Sequence, residues 1–97
     1  MLKRYLVTLG AATTNGGEVI SASDFRRVNG LPVALEDDQV RCPQCHSAGV
    51  IKPDGPRVNE RVRGKQVALH DDLCICRCTP PPRLIANQHL LCQILAG

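Results

Sequence analysis

A short phrase is written twice in this chain, and a fainter version stands ahead of both. Residues 31–38 read Leu-Pro-Val-Ala-Leu-Glu-Asp-Asp and residues 66–72 read Gln-Val-Ala-Leu-His-Asp-Asp. The core Val-Ala-Leu-x-Asp-Asp therefore recurs, with a glycine just before each copy, Gly30 and Gly64. Leu6-Val7-Thr8-Leu9-Gly10 is a worn third copy. After a loop, each copy is followed by a small apolar step: Val19-Ile20, Val50-Ile51 and Leu84-Ile85. A unit this small cannot bury an apolar face alone and has to stack on its neighbours. The chain is therefore expected to pass three times through one short β unit.

Ninety-seven residues correspond to one domain over residues 1–97, with no extension domain expected. Its core must be built from Val, Leu and Ile, because there is one Phe, one Tyr and no Trp. A core this modest tends to need help. Seven prolines and eight glycines punctuate the chain and favour short strands and turns; no long helical period is present. The net charge of +3 is scattered and demands no particular partner. No apolar run approaches the 18 or so residues of a membrane span. Lys3-Arg4 ahead of residues 5–12 imitates a signal peptide, but its apolar run is short, is broken by Thr8 and Gly10, and belongs to the repeat. Without export by that route the six cysteines stay reduced, and clustered cysteines then favour a metal over disulfides.

The strongest local signal is Asn29-Gly30 between two extended segments. A two-residue type I′ turn needs positive φ at both central residues, which Asn-Gly supplies. Arg63-Gly64 stands at the same point of the next repeat. Pro32 cannot donate to a ladder, so its strand should be bulged or at an edge. Residues 13–17, 21–24, 36–39 and 52–56 read as turns or loops. Thr79-Pro80-Pro81-Pro82 excludes helix and central strand. Residues 83–85 and 89–95 read as closing strands, with a short helix over 90–95 as the alternative.

Cys42-Pro43-Gln44-Cys45 is a Cys-x-x-Cys knuckle, followed by His46, and two thiolates at this spacing can share one tetrahedral Zn²⁺. Cys74, Cys76 and Cys78 form the other half-site; alternate residues of an extended strand would line one face. Both clusters follow the Asp-Asp of their repeats, so three-fold stacking would bring them to one axis. Cys42 and Cys45 with two of the second three would complete a site for one structural zinc. Cys76 and Cys78 are the first choice, with Cys74, His46 and His70 as alternates. The competing reading is that these are buried thiols acting as small hydrophobes. His89 and Cys92 lie far from both clusters and read as a surface imidazole and a buried thiol.

Redox chemistry at Cys42 and Cys45 would call for a helix N-terminus, and no βαβ pattern surrounds them. Asp37-Asp38 and Asp71-Asp72 recur as turn residues do, and adjacent carboxylates at a strand end point apart. No enzyme is expected. The alternative function is a zinc-ribbon-like nucleic-acid-binding protein. Its knuckles are usually two Cys-x-x-Cys pairs 15–20 residues apart, unlike the spacing here. Arg26, Arg27, Arg57, Arg61, Arg63 and Lys65 are explained by a solvated face, and aromatics for stacking bases are nearly absent. No nucleic acid is expected as a partner.

Taken together, residues 30–38, Thr13-Thr14-Asn15-Gly16-Gly17 before them and Cys42-Pro43 after them resemble PAAR-repeat proteins. The naming tetrapeptide reads here as Pro32-Val33-Ala34-Leu35 and Gln66-Val67-Ala68-Leu69, and the resemblance runs from about Leu6 to Ile85. It implies an all-β, pseudo-three-fold cone of short strands and hairpins, stabilised by zinc near its apex. It also implies a function: capping and sharpening the trimeric VgrG spike of a bacterial type VI secretion system, one copy per trimer, and linking secreted effectors to it. The resemblance places the protein in the bacterial cytoplasm before firing and then outside or in a target cell, after transient contact with the target membrane. A zinc at a pointed tip would supply an apparent ~10–16 kcal/mol that burial there cannot. Two departures stand out. Asn15 occupies a position where the family often has His, so the first loop gives up a ligand, and Asp37 and Asp71 stand where glycine is common.

Overall fold

Val7, Ala34 and Ala68, the middle residues of the three copies, meet in a closed ring of backbone hydrogen bonds. Val7 N–H donates to the Ala68 carbonyl (2.9 Å), Ala34 to Val7 (2.9 Å) and Ala68 to Ala34 (3.0 Å). A second cycle runs beside it, with Leu9 donating to Pro32, Glu36 to Gln66 and His70 to Tyr5 at 2.8–2.9 Å. Antiparallel bridges Leu6–Leu69, Thr8–Val33 and Leu35–Val67 complete the cycle. No copy is paired with itself; in the first cycle each donates to the copy before it, and in the second each donates to the copy after it. This is the pseudo-three-fold axis that the repeat implies.

The computed structural model describes residues 2–95, and all the regular structure in them is β. On one side of the ring three hairpins form a six-stranded sheet. They are β2 (Ala12–Thr13) with β3 (Glu18–Val19), β6 (Gln39–Cys42) with β7 (Ser47–Lys52), and β10 (Leu73–Ile75) with β11 (Leu84–Ile85). The order is β10-β7-β6-β3-β2-β11, and the bridge Leu73–Arg83 with the Cys74 N–H to Pro82 carbonyl bond (2.8 Å) nearly closes it into a cone. On the other side stand three two-stranded ribbons: β4 (Ser23–Val28) with β5 (Leu31–Val33), β8 (Arg61–Val62) with β9 (Lys65–Gln66), and β1 (Leu2–Tyr5) with β12 (Cys92–Leu95). In the third ribbon the two ends of the chain do what a hairpin does in the other two.

Strand alternation divides the core in two. Val7, Ala34 and Ala68 face the cone, where they pack with Ala11, Val19, Val40, Ile51, Cys74 and Leu84. Their neighbours Leu6, Val33, Leu35, Val67 and Leu69 face the ribbons and pack with Val28. These two clusters are aliphatic apart from the Cys74 thiol and hold no aromatic ring, as the composition requires.

The hairpin turns follow their chemistry. Asn29 and Gly30 have φ of 54° and 79°, and Arg63 and Gly64 have 54° and 80°, so both ribbons carry the same turn. The register shifts between Ser23 and Arg27, opposite Pro32 and Val33, which is the bulge that Pro32 requires. Strand β4 starts at Ser23, inside the stretch expected to be a turn. The closing segment is extended over Cys92–Leu95, antiparallel to β1, and not the helical alternative. Gly10, Asp37 and Asp71 are equivalent and all left-handed, at φ 88°, 70° and 73°. The two aspartates therefore hold a conformation that glycine adopts at less cost.

Candidate metal centre

The loops of the three cone hairpins, residues 14–17, 43–46 and 76–83, converge at the end away from the ribbons. There the sulfurs of Cys42, Cys45, Cys76 and Cys78 lie within 4.8 Å of one another. Cys42 Sγ is 3.6 Å from Cys78 Sγ and 3.5 Å from Cys76 Sγ. Four Zn–S bonds of about 2.3 Å at tetrahedral angles put sulfurs about 3.8 Å apart. The donor set fits a single soft or borderline divalent cation.

Each sulfur is delivered by a local feature. Cys42 ends β6, and alternation along that strand turns it inward with Val40. The knuckle reverses the chain through His46, which is left-handed at φ 54°, so β7 can return and Cys45 can face back toward Cys42. The second cluster behaves differently from an extended strand. β10 stops at Ile75, and only Cys74 lies within it. Cys74 is fully buried in the cone core, where burial pushes its thiol up to about 12 and leaves it an apolar group. Cys76 and Cys78 lie beyond the strand and reach the tip.

The two histidine alternates stand apart from the four sulfurs. His46 is exposed on the outer side of the knuckle. His70 follows the third copy, where its Nδ1 accepts the Ala86 N–H at 3.0 Å, so it serves the backbone. His89 is exposed and meets Tyr5 edge-on at 5.1 Å, while Cys92 is half-buried opposite Tyr5.

Around the sulfurs are donors that a search for ligand spacing passes over. Asn15 Nδ2 lies 3.2 Å from Cys42 Sγ and 3.8 Å from Cys78 Sγ. Ser47 Oγ is 3.0 Å from Cys45 Sγ. The first repeat thus reaches the centre with an amide and no ligand. Glycine permits the close packing on both flanks: a Cβ on Gly49 would sit 2.6 Å from the Ile75 carbonyl oxygen and 2.9 Å from Cys74 Sγ.

The four thiols do not carry charge equally. Burial pushes the Cys42 thiol up, but the Cys45 backbone N–H, the Asn15 amide and the neighbouring thiols more than offset it and bring it to about 6. The Ser47 hydroxyl, then the Arg77 backbone, lower Cys45. Burial raises Cys76, and the hydrogen bond shared with Cys42, followed by burial, pushes Cys78 up to about 12. Two thiols are thus lowered, Cys42 to below neutrality, and the raised pair Cys76 and Cys78 keep their protons. A divalent cation would take over the place of those two protons.

A three-repeat β cone that gathers four thiols at its tip is a structural class in which chemistry serves shape. A family model, the PAAR motif, matches residues 9–80. This chain belongs to the PAAR-motif family, a structural spike family associated with the tip of the type VI secretion spike. No curated protein and no solved structure matches it.

Proposed function

We propose that this protein caps the blunt end of a trimeric VgrG spike, one copy per trimer, and carries one structural zinc on Cys42, Cys45, Cys76 and Cys78. The observation that carries the reading is the ring of Val7, Ala34 and Ala68 with three equivalent ribbons on one side of it. A single chain with three-fold-like symmetry can meet the same surface of a trimer three times over, which an asymmetric monomer cannot. The ribbons leave Leu2, Phe25, Leu31 and Ile94 exposed at that end, and their strands are only two deep. Both features suit docking by strand addition onto the spike's own sheets. The cone with its sulfur cluster then points away as the leading tip. The role is mechanical and connective rather than enzymatic, with effectors travelling on the spike. The protein would be held in the bacterial cytoplasm until firing and would then leave with the spike.

Mixing the purified chain with a VgrG trimer and weighing the complex by native mass spectrometry tests this directly. One chain per trimer is expected, and Leu31→Asp with Phe25→Asp should abolish the complex while the zinc content stays the same. A complex of three chains per trimer, or none, would refute the cap. Binding to nucleic acid that weakens steeply with salt would instead favour the ribbon-like alternative.

A further inference from the structure

The first repeat meets the four sulfurs through one side chain, and its orientation is determined by its neighbours. Gly17 N–H donates to Thr13 Oγ1 at 2.8 Å. The Thr13 hydroxyl hydrogen is then free for a second acceptor, and Asn15 Oδ1 lies 2.6 Å away. With its carbonyl oxygen engaged there, the Asn15 amide must turn its NH₂ the other way, toward Cys42 Sγ and Cys78 Sγ. Thr13 is buried and locked in β2 by its pairing with Leu84. Gly17 has no room for a side chain, since a Cβ would run into the Arg41 carbonyl and Thr13 Oγ1. The relay Gly17–Thr13–Asn15 is therefore built on rigid backbone, and hydrogen bonds in such a chain polarise one another.

We propose that Asn15 is a positioning residue of the metal centre: its Nδ2 donates to the sulfurs of Cys42 and Cys78 and thereby ties the ligand-free first repeat to the ligands of the other two. This rests on the zinc reading above. Four thiolates around a divalent cation leave two negative charges in excess, and donors to sulfur stabilise that excess. Cys42 and Cys78 come from different repeats, so an amide that touches both also fixes the distance between their loops. Ligand-supporting groups of this kind typically change metal affinity about 10–100-fold. Asn15 would thus contribute in a hydrogen-bonding role where direct ligation by the first loop is lost.

The test uses the full chain, zinc and cobalt(II). Zinc per chain is measured first, then zinc affinity by competition with a chromogenic chelator, for the unaltered protein, Asn15→Ala and Thr13→Val. Thr13→Val keeps the size and branching of the buried residue but breaks the relay. Asn15→Ala is expected to weaken zinc roughly tenfold, the lower end of such effects, and Thr13→Val to weaken it less. In the cobalt-loaded protein the sulfur-to-metal charge-transfer band should move to lower energy in both variants, because sulfur stripped of an N–H donor is richer in electrons. A purely structural role for Asn15 would not move that band. One zinc per chain with unchanged affinity and band in both variants overturns the role of Asn15 and leaves the metal site standing. No zinc or cobalt on the unaltered protein overturns both. If Asn15→Ala does not fold, Thr13→Val decides the matter by the same two readouts.

Discussion

Asp38 and Asp72 hold the same place in successive repeats, and removing each in turn separates a turn from a buried ion cluster. Asp38 Oδ2 accepts the Leu35 N–H at 2.7 Å, and Asp72 Oδ2 accepts the Leu69 N–H at 2.8 Å. In the first repeat Ala11 stands there, and the turn still forms, with Ala11 N–H donating to the Thr8 carbonyl at 3.1 Å. The carboxylate is thus an aid to the turn and no precondition for it. Asp72 does more. Its Oδ1 takes Arg4 Nη2 at 3.1 Å, the Arg57 guanidinium and the Asp54 N–H at 3.0 Å, with Asp72 fully buried and the two arginine side chains only 7% and 11% exposed. Asp38→Ala loses one backbone bond and one from Ser21 Oγ, and should cost about 1–1.5 kcal/mol. Asp72→Ala strands two largely buried guanidiniums and should cost about 3–5 kcal/mol. A domain of this size has roughly 5–15 kcal/mol in all, so the second variant should be close to unfolding. Urea denaturation in the presence of reductant and zinc measures both, provided the slopes with denaturant agree. Equal losses in the two variants would refute the reasoning, because the pair differs chiefly in the arginines.

Zinc binding at pH 7 should release protons from Cys76 and Cys78, whose thiols are raised, and little from Cys42, which is held at about 6. Affinity should therefore rise with pH through neutrality, and the loss of zinc-supplied stability on acidification should steepen below about 6, where Cys42 also takes up a proton; calorimetry in buffers of different ionisation enthalpy counts the protons. Gly49→Ala should force β7 and β10 apart at the Ile75 carbonyl, costing about 1–3 kcal/mol and lowering the melting temperature. An unchanged melting temperature would show that the hairpins give way freely. Cys74→Ala should keep one zinc per chain and lose only about 1 kcal/mol of packing, whereas Cys76→Ser should lower zinc affinity; metal analysis beside thermal melts separates the two.

The parts of this fold legible in the sequence are those set by local chemistry repeated in register. Asn29-Gly30 declares its turn because few other pairs accept positive φ twice, and Val-Ala-Leu declares its strand because it recurs. The cysteine clusters point to the tip because they follow equivalent turns. What was not legible depends on groups far apart in the chain. Arg4 and Arg57 converge on Asp72 from different segments, and nothing in their local spacing announces it. Alternation along residues 74–78 misleads about Cys74, because the strand ends at Ile75 and the chain bends before Cys76. Asn15 is invisible to a search for ligands since an amide donates to sulfur and does not replace it. Its signal was the departure itself, a hydrogen-bonding residue kept in a loop that had lost its ligand.

The ring of Val7, Ala34 and Ala68 also bears on how the chain acquires its shape. One of its three bonds joins the first copy directly to the third, and the other two join successive copies across intervening hairpins. Two repeats without the third leave donors and acceptors open at the centre, with half-formed cores on either side. Loop-closure entropy must be met before those distant pairings reward it. Folding should therefore wait on the arrival of the last repeat and then finish in a single slow step, with both ends of the chain drawn together as β1 and β12 pair.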